Sequence, residues 1–535
     1  MTAGAEEVEP SPASAALGWP AGLVRLTGWL APVIVLVLAA RAVNPFPVGA
    51  VPDEAVYVVL GKALATGQGY RYLNLPGAPA ATHFPPGYPA LIALLWRMAP
   101  TFPANVLLFK LVNALLVALV AVGVAQWARR RFDCSPMAAS VFAVVSAAAV
   151  PMLVLSALVM SEPLFLALLV PVLLVAERAV DGRGPAAADA RLAAFAGLLA
   201  GALTLVRGLG LALVAAVVMA LLARRRVRDA LLAGSAALLV MLPWQWWVHM
   251  NATAVPAPIR GTYGPYGAWL ADGWRLGGAA FVAGTVRGTV GQVAALLATL
   301  AAPSAPRAVV PLALGALLAL AAAGAWRMWR AARVSALFLG FYVAIVLVWP
   351  YAPARFLWGI WPLLLALPLL GVVALWRWCP AGRGARVLRA CVLAVAALPA
   401  MGYTVYTVKG YRGSWWANIP RQRGATLRAV VLGVKEYATP TATLSAEDDA
   451  AIYLYTGHPA VPFYSFSATD FSHPPTITEG AGMLRAILAA YAIDDVVVTT
   501  SDQRDIAQTL VAQHPPELAL RDSFPGGLVY SPIPR

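Results

Sequence analysis

Long apolar segments alternate with short arginine runs over the first three quarters of this chain. Several of the segments are about twenty residues long, the length that an α-helix needs to cross a bilayer. Of the 535 residues, 61% are hydrophobic and only 12% are charged, and the mean hydropathy is +0.74. Soluble globular domains do not have this composition. The sequence therefore predicts a mainly α-helical, polytopic membrane protein.

The formal net charge of +15 does not indicate a nucleic-acid partner. Its arginines cluster beside apolar segments, as in Arg129 to Arg131 and Arg224 to Arg226, which is typical of the cytoplasmic loops of membrane proteins. The cysteines, Cys134, Cys379 and Cys391, lack metal-ligand spacing and indicate neither a disulfide framework nor a zinc site. We therefore expect a bilayer, and no nucleic acid, around this chain.

About eleven transmembrane helices follow from the apolar pattern. They are predicted at about residues 23–40, 105–127, 137–155, 163–176, 192–206, 209–222, 230–247, 311–326, 336–349, 356–376 and 390–408. With the N-terminus in the cytoplasm, nearly every arginine run falls on the inner side, as the positive-inside rule requires. Ala90 to Met98 is too short to span. A further helix at about 279–299 is predicted to lie at the membrane interface.

The last quarter of the chain has a different pattern. Short strand-like runs, such as Ala492 to Thr500, alternate with helical segments at 482–490 and 504–513, which predicts a small α/β domain. We therefore divide the chain into a cytoplasmic tail, a transmembrane module with a first outer loop, and an extracytoplasmic C-terminal domain in the plasma (inner) membrane. The corresponding ranges are 1–22, 23–408 with its loop at 43–89, and 409–535.

One adjacent pair of acids, Asp53 and Glu54, falls on the outer side of the membrane portion. A carboxylate pair at this boundary is placed to act as a general base or as a cation ligand. The pair also precedes a predicted helix from about Ala55, and acids suit the first turn of a helix. Both interpretations stay open at this point, and they are compatible with each other.

Arg207 and Arg355 are predicted at the outer ends of apolar spans. A charge in that position needs a partner, and the planar donor fork of arginine suits a phosphate group. A lipid-linked phosphate reaches this depth of the bilayer. The alternatives are that each arginine extends to the headgroups or pairs with Glu162, an acid that is also predicted to face outward.

Several motifs resemble the polyprenyl-phosphate-dependent glycosyltransferases of the C-type (GT-C) membrane fold, including protein O-mannosyltransferases and aminoarabinose transferases. PDEAVY followed by HFPPGYPAL is similar to their first outer loop, where an Asp-Glu pair precedes a Pro-Pro motif. Other similar motifs follow in the same order as in that superfamily: SEP at 161–163, LVRGLGL around Arg207, LPW at 242–244 and ARFLWGIWP around Arg355.

The resemblance implies an enzyme that transfers a sugar, with inversion, from a polyprenyl-phosphate donor to a glycan, lipid or protein acceptor on the outer face. Asp53 would deprotonate the acceptor hydroxyl, and Glu54 would orient the acceptor or help to bind a divalent cation. Arg355 and Arg207 would bind the donor phosphate. The arginines would supply the positive charge, so the sequence requires no cofactor, although it leaves room for a divalent cation.

Two further residues, His83 and Glu162, are candidates for contacts with the acceptor or a metal. The aminoarabinose enzymes have an acidic residue and a lysine before Pro-Pro, where this chain has His83 and Phe84. A lysine contact to the donor phosphate is therefore not transferred to this chain. His83 instead resembles the His-Pro-Pro of the O-mannosyltransferases, with Phe84 inserted.

A transporter or lipid flippase is the competing class, since it too would be polytopic and basic. Transport relays usually place ionisable residues near the middle of the bilayer, and most predicted spans have none there. A structural membrane protein would not account for the acidic loop. Aromatic residues after the seventh span, such as Tyr263, Tyr266 and Trp269, could stack on a sugar or lie in the interfacial aromatic belt, and we expect the belt.

Overall fold

The computed structural model of the protein describes residues 21–379, 383–471 and 473–533. The predicted cytoplasmic tail at 1–22 therefore lies almost wholly outside the described residues. The chain is mainly α-helical, with one small sheet near its C-terminus. Both features agree with the predicted fold class.

The helices of the first half run from the N-terminal apolar segment to the last helix before the aromatic loop. They are α1 (Ala21–Ala42), α2 (Pro52–Ala65), α3 (Gly87–Met98), α4 (Val106–Phe132), α5 (Pro136–Ala147), α6 (Val150–Ala157), α7 (Glu162–Asp181), α8 (Ala186–Thr204), α9 (Leu211–Ala223) and α10 (Val227–Met250).

The helices of the second half continue through the end of the membrane portion. They are α11 (Arg260–Tyr263), α12 (Tyr266–Ala301), α13 (Val310–Ala331), α14 (Arg333–Val348), α15 (Ala354–Trp358), α16 (Trp361–Trp378), α17 (Arg383–Arg412) and α18 (Trp415–Tyr437).

Within the described residues, eight helices are long and apolar enough to cross a membrane, or nine if the bent pair α5 and α6 is one span. All eleven predicted spans coincide with helices. Seven match long helices and one matches the bent pair. Three match shorter apolar helices, which are Trp29–Ala42, Gly208–Ala223 and Arg333–Val348.

The remaining long helix, α12, contains the segment that was predicted to be interfacial. It is kinked at Gly278, whose φ of 52° lies in the left-handed region that glycine adopts without strain. A Cβ on Gly288 would lie 3.1 Å from the ring of Phe471, so the middle of α12 packs against the C-terminal part of the chain. By length and composition α12 is itself long and apolar enough to cross a membrane, so the prediction of an interfacial helix is not confirmed.

Small residues allow neighbouring helices to approach closely. Gly197 and Gly201 of α8 face Ala233 and Ala237 of α10, and a Cβ on Gly197 would lie 2.0 Å from the Ala233 carbonyl oxygen. In a bilayer the hydrophobic effect does not favour contact between helices over contact with lipid, so close packing must hold the helices together. Small side chains allow this close packing of the two backbones.

The C-terminal part is a five-stranded mixed sheet with helices on its flanks. Its strands and helices are β1 (Leu444–Ala446), α19 (Asp449–Thr456), β2 (Ala460–Pro462), α20 (Ile477–Ala490), β3 (Asp495–Val498), α21 (Ser501–Val511), β4 (Leu518–Phe524) and β5 (Gly527–Pro532). The strand order is β2-β1-β3-β5-β4, with parallel pairs at β1 and antiparallel pairs at β5. The predicted strand at 492–500 and both predicted helices are confirmed.

The C-terminal part lies directly on the predicted first outer loop. The Tyr455 hydroxyl accepts a hydrogen bond from the Val48 amide at 2.9 Å, and the Ala460 amide donates to the Asn74 carbonyl at 2.7 Å. The sheet and the acidic pair therefore lie on the same face of the bundle.

Candidate active site

The two adjacent acids of the first loop point in different directions. Pro52 is the first residue of α2, which suits its missing amide hydrogen, and Asp53 and Glu54 lie in the first turn. A helix turns by about 100° per residue, so neighbouring side chains face different surroundings. Asp53 lines a cavity, whereas Glu54 is fully buried on the other side of the helix.

Glu54 is held by three backbone amides. One carboxylate oxygen accepts from Val51 at 3.2 Å and from Gly49 at 3.4 Å, and the other accepts from Val159 at 2.8 Å. Burial raises the pKa of Glu54, while the nearby Lys110 ammonium and the three amides act in the opposite direction. Glu54 thus caps α2 and ties the first loop to the segment before α7, so it does not reach the cavity.

Asp53 belongs to a network of two carboxylates and two guanidinium groups. Nη2 of Arg355 lies 2.6 Å from Asp53, and Nε of Arg355 lies 3.2 Å from Glu162. Nη1 of Arg207 lies 2.7 Å from the same oxygen of Glu162. Glu162 is fully buried and Arg207 is only 7% exposed. The formal charges of the four groups cancel, which is how such groups are tolerated at this depth.

Hydrogen bonds to Ser161 extend this network. Nη1 of Arg207 donates to the Ser161 hydroxyl at 2.9 Å, and the Tyr57 hydroxyl lies 3.0 Å from the same oxygen. The SEP motif therefore supplies two consecutive side chains to the arginines, since Glu162 follows Ser161 directly. Tyr57 also lies one turn after Asp53 and lines the same cavity.

His83 is buried at the edge of this network. Its Nδ1 lies 2.6 Å from the carbonyl oxygen of Gly264, and its ring centroid is 3.8 Å from that of Tyr266. Burial lowers the pKa of His83 to about 4, so the ring is neutral near pH 7. A carbonyl only accepts, so Nδ1 carries the proton and Nε2 is a hydrogen-bond acceptor. His83 therefore brings no positive charge to the site.

The Pro-Pro-Gly turn that follows His83 is fixed to the Arg207 segment. The Gly87 amide donates to the Leu205 carbonyl at 2.7 Å. A Cβ on Gly87 would also lie 2.7 Å from that oxygen, so this close approach requires glycine. The motif thereby positions the chain two residues before Arg207.

The first cavity has a volume of about 390 Å³ and a mainly apolar wall. Its polar lining comes from Asp53, Arg207, Arg355, Tyr57 and His83. The remaining lining is contributed by α9, α12 and α14, and includes Leu209, Leu211, Tyr266, Trp269, Leu270, Ile345, Val346, Val348 and Trp349. The cavity thus combines a polar end with an apolar wall, as a site for an amphipathic molecule would.

A second cavity, of about 300 Å³, lies between the first loop and the C-terminal part. It shares Asp53, His83 and Trp269 with the first cavity. Its far side is formed by the residues around β1 and β2, including Glu447, Asp448, Asp449, Phe463 and Tyr464. Asp53 therefore lies where the two cavities adjoin.

The structure brings five of the six candidate residues together: Asp53, Glu162, Arg207 and Arg355 form the network, and His83 lies beside it. Glu54 is the exception. Arg207 pairs with Glu162, which was one of the alternatives left open by the sequence. The expectation of an aromatic belt is wrong for Tyr266 and Trp269. Tyr266 lines the first cavity, and Trp269 lines both cavities.

Sequence reasoning missed the acids that the C-terminal part contributes. Glu447, Asp448 and Asp449 form the one run of three consecutive acids in the chain, and that run was a usable signal. Burial raises the pKa of Asp449 to about 7, and Asp449 accepts hydrogen bonds from Tyr263 at 2.5 Å and from Asn74 at 3.0 Å. Tyr57 is a further cavity residue that the sequence motifs did not single out.

A metal ion would need several oxygen, nitrogen or sulfur ligands close to one another. Within the part of the chain that the structure describes, no three His, Cys, Asp or Glu side chains are grouped closely enough to hold a metal ion. Both oxygens of Glu162 lack a hydrogen-bond donor of good geometry, but two guanidinium groups already face this carboxylate.

No family model matches the sequence, and no curated protein matches it. The chain does match solved structures. The chain is similar to ArnT from Cupriavidus metallidurans bound to undecaprenyl phosphate, with 17% identity and a TM-score of 0.52 over 96% of this chain and 98% of that one. The apo state of the same protein gives 16% identity and a TM-score of 0.53 over 95% and 98%.

An oligosaccharyltransferase from Archaeoglobus fulgidus, solved in complex with Zn and sulfate, is also similar. It shares 15% identity and a TM-score of 0.53, over 94% of this chain and 73% of that one. These matches extend over nearly the whole described chain, including both the helical bundle and the C-terminal sheet. The chain therefore has the fold of the C-type (GT-C) membrane glycosyltransferases.

Proposed function

We propose that this protein is an inverting glycosyltransferase that moves a sugar from a polyprenyl-phosphate donor to an acceptor on the outer face of the membrane. The observation that carries the proposal is the meeting of one carboxylate, Asp53, with two guanidinium groups in a cavity whose wall is apolar. The transferred sugar is a hexose or a pentose, and the acceptor is a glycan, a lipid or a protein.

The donor would bind in the first cavity. Its phosphate would meet Arg207 and Arg355, whose donor forks suit phosphate oxygens. Its isoprenoid chain would lie along the apolar lining from α9 and α14. The similarity in fold to an ArnT crystallised with undecaprenyl phosphate supports this class of donor.

The reaction itself needs a base on the acceptor side and positive charge on the leaving side. Asp53 would take the proton of the acceptor hydroxyl while its oxygen attacks the anomeric carbon. The bond from that carbon to the phosphate oxygen would break, and its electron pair would leave with the polyprenyl phosphate. Attack from the face opposite the leaving group inverts the anomeric carbon. Arg355 and Arg207 would stabilise the negative charge on the phosphate.

The other candidates would have supporting roles. Glu162 would hold both guanidinium groups in place, since it contacts each of them. His83, neutral and fixed by Gly264, would offer Nε2 to a hydroxyl of a substrate. Glu54 would position Asp53 through its bonds to the loop amides. Because it is fully buried and lines neither cavity, it would not contact the acceptor or a cation.

We also propose the orientation and the division of the chain that the sequence indicates. The N-terminus would be cytoplasmic, and the C-terminal domain from about residue 409 would be outside, in the plasma (inner) membrane. The transmembrane module at 23–408 would carry the catalytic first outer loop at 43–89. Asp53 and the C-terminal sheet lie on one face of the bundle, which supports a common side for both.

Substitution of the base tests the proposal. Asp53→Asn keeps the shape of the side chain but removes its ability to accept a proton, and a lost general base lowers rates by about 10² to 10⁴. We expect this loss in sugar transfer from a polyprenyl-phosphate donor in a variant that still folds, because the asparagine oxygen can accept from Arg355 and Glu162 still faces that guanidinium. Asp505→Asn, on an exposed site of α21, is the matched control. Full activity of Asp53→Asn would contradict the assignment, and lipid movement without any transfer would favour a flippase.

A further inference from the structure

The second cavity has chemistry that the proposed reaction has not used. Its lining comes from two separate parts of the chain, the outer loops of the bundle and the C-terminal sheet. It adjoins the first cavity at Asp53. A molecule in the second cavity would therefore reach the proposed base from the side opposite the donor lipid.

The charge of this cavity is the reverse of what an anionic ligand needs. Four carboxylates line it, from Asp53, Glu447, Asp448 and Asp449. Asp53 is paired with Arg355, and Asp449, whose pKa is raised to about 7, is partly protonated near pH 7, so Glu447 and Asp448 contribute most of the negative charge. Among the described lining residues there is no lysine or arginine, and His83 is neutral near pH 7. Arg423 lies behind the lining, 3.5 Å from Glu447 and 3.6 Å from Asp448, and compensates only part of the charge.

The second feature of this cavity is the carboxylate of Asp448. Oδ1 of Asp448 has no hydrogen-bond donor among the described residues, although the Asp448 side chain is only 11% exposed. Burial raises the pKa of Asp448 to about 6, so it is mostly ionised near pH 7. The Arg423 guanidinium faces this oxygen at 3.6 Å, beyond hydrogen-bond distance, so a ligand hydroxyl could still donate to it.

Aromatic rings complete the lining. Tyr351, from the loop after α14, and Tyr464, from the loop after β2, are 37% and 39% exposed although both line this cavity. Trp269 and Phe466 lie between the two parts, with ring centroids 4.3 Å apart. Open aromatic faces beside hydrogen-bond acceptors match the two surfaces of a sugar ring, one apolar and one edged with hydroxyls.

We propose that the second cavity binds the acceptor through a saccharide ring that carries no negative charge. This inference rests on the proposed glycosyl transfer and narrows its acceptor. Hydroxyl groups would donate to Asp448 and Glu447, and the ring would pack on Tyr464. A phosphorylated or otherwise anionic saccharide would be repelled by the carboxylates, since like charges in a partly desolvated site cost several kcal/mol. One hydroxyl would face Asp53.

The test compares two probes that differ by one phosphate group, octyl β-glucoside and octyl β-glucoside 6-phosphate. The full chain is placed in nanodiscs, and binding of undecaprenyl phosphate is measured first by native mass spectrometry. Each glycoside is then titrated by saturation-transfer NMR. We expect the neutral glycoside to bind at least about tenfold more tightly than its phosphate, because the carboxylates repel only the latter.

Two variants report on the two kinds of contact, Tyr464→Ala on stacking and Asp448→Asn on charge. Tyr464→Ala should weaken binding of the neutral probe about threefold or more. Asp448→Asn should reduce the preference against the phosphate, and Asp505→Asn should change neither. Asp448→Asn is nearly isosteric, so it keeps the test informative if Tyr464→Ala does not fold.

The outcomes distinguish a failure of the proposed acceptor class from a failure of the proposed glycosyl transfer. Equal or tighter binding of the phosphorylated glycoside, with undecaprenyl phosphate still bound, would overturn the acceptor class and leave the glycosyl transfer standing. The same holds if Tyr464→Ala binds the neutral glycoside as tightly as the unchanged protein does and Asp448→Asn keeps the full preference against the phosphate. Failure to bind undecaprenyl phosphate would instead count against the proposed function.

Discussion

Nη2 of Arg355 lies 2.6 Å from a carboxylate oxygen of Asp53, so the proposed phosphate ligand and the proposed base contact each other directly. While it accepts from Arg355, this oxygen of Asp53 faces the guanidinium and not a substrate hydroxyl. A donor phosphate would compete for Arg355 and release Asp53. In the proposed reaction, the contact would therefore couple donor binding to activation of the base.

Replacement of Arg355 by lysine tests this coupling. Lysine keeps the charge, but a single ammonium cannot reproduce the fork that contacts Asp53 and Glu162 together. We expect Arg355→Lys to lower transfer by about 10² to 10³, as removal of one preorganised donor does. Affinity for undecaprenyl phosphate should fall as well. Arg275→Lys, in an exposed ion pair with Asp272, is the matched control and should leave both quantities unchanged.

Glu54 offers a contrast with its neighbour Asp53. Glutamine has only one carbonyl oxygen, so in Glu54→Gln its NH₂ group would face an amide hydrogen of Val51 or Val159. We expect Glu54→Gln to lower the free energy of unfolding by about 2 to 4 kcal/mol. Thermal unfolding of this variant beside Asp53→Asn measures the difference. A stable Glu54→Gln that had lost all transfer would restore Glu54 to the chemistry.

Gly87 links the Pro-Pro motif to the arginine segment without lining either cavity. In Gly87→Ala the new methyl group would lie 2.7 Å from the Leu205 carbonyl oxygen and push that segment away. Displacements of about 1 Å can lower rates about a hundredfold, so we expect transfer to fall by roughly tenfold to a hundredfold. Gly315→Ala, where a Cβ meets nothing within 4 Å, is the control. Unchanged kinetics in Gly87→Ala would show that this approach does not position Arg207.

The contact between Asp449 and the outer loops should depend on pH. Burial raises the pKa of Asp449 from 3.8 to about 7, so the folded protein holds a proton that the unfolded chain has already lost. This contribution to stability is complete below about pH 4 and disappears as the pH rises through about 7. Asp448, whose pKa is raised to about 6, acts in the same direction.

Thermal unfolding measured between about pH 5 and about pH 8 checks this expectation. The unfolding temperature should decrease across that range, and less steeply in Asp449→Asn, which can still accept from Tyr263 and Asn74. Asp505→Asn should show the slope of the unchanged protein. An identical slope in Asp449→Asn would mean that other groups carry the pH dependence.

Much of the bundle could be predicted because the bilayer imposes one simple rule. Segments that cross it must be apolar and helical, since their backbone groups have no water to bond with. The eleven predicted spans accordingly coincide with helices, and the C-terminal alternation of strands and helices is confirmed. The predicted interfacial helix lies within the longer, kinked α12. Its two halves meet at a kink at Gly278, whose left-handed backbone conformation hydrophobic periodicity does not report.

The sequence by itself determined which side of the bundle carries Asp53, Arg207, Glu162 and Arg355, because the sign and spacing of charges orient each span. It did not determine which of the two adjacent acids faces the cavity. Only the tertiary structure decided that Glu54 is bonded to the amides of Gly49, Val51 and Val159, which leaves Asp53 to Arg355. The amide of Val159 is distant in the chain and reaches Glu54 only in the folded protein. The turn of the helix points the two acids in different directions, but the sequence does not say which direction faces the cavity.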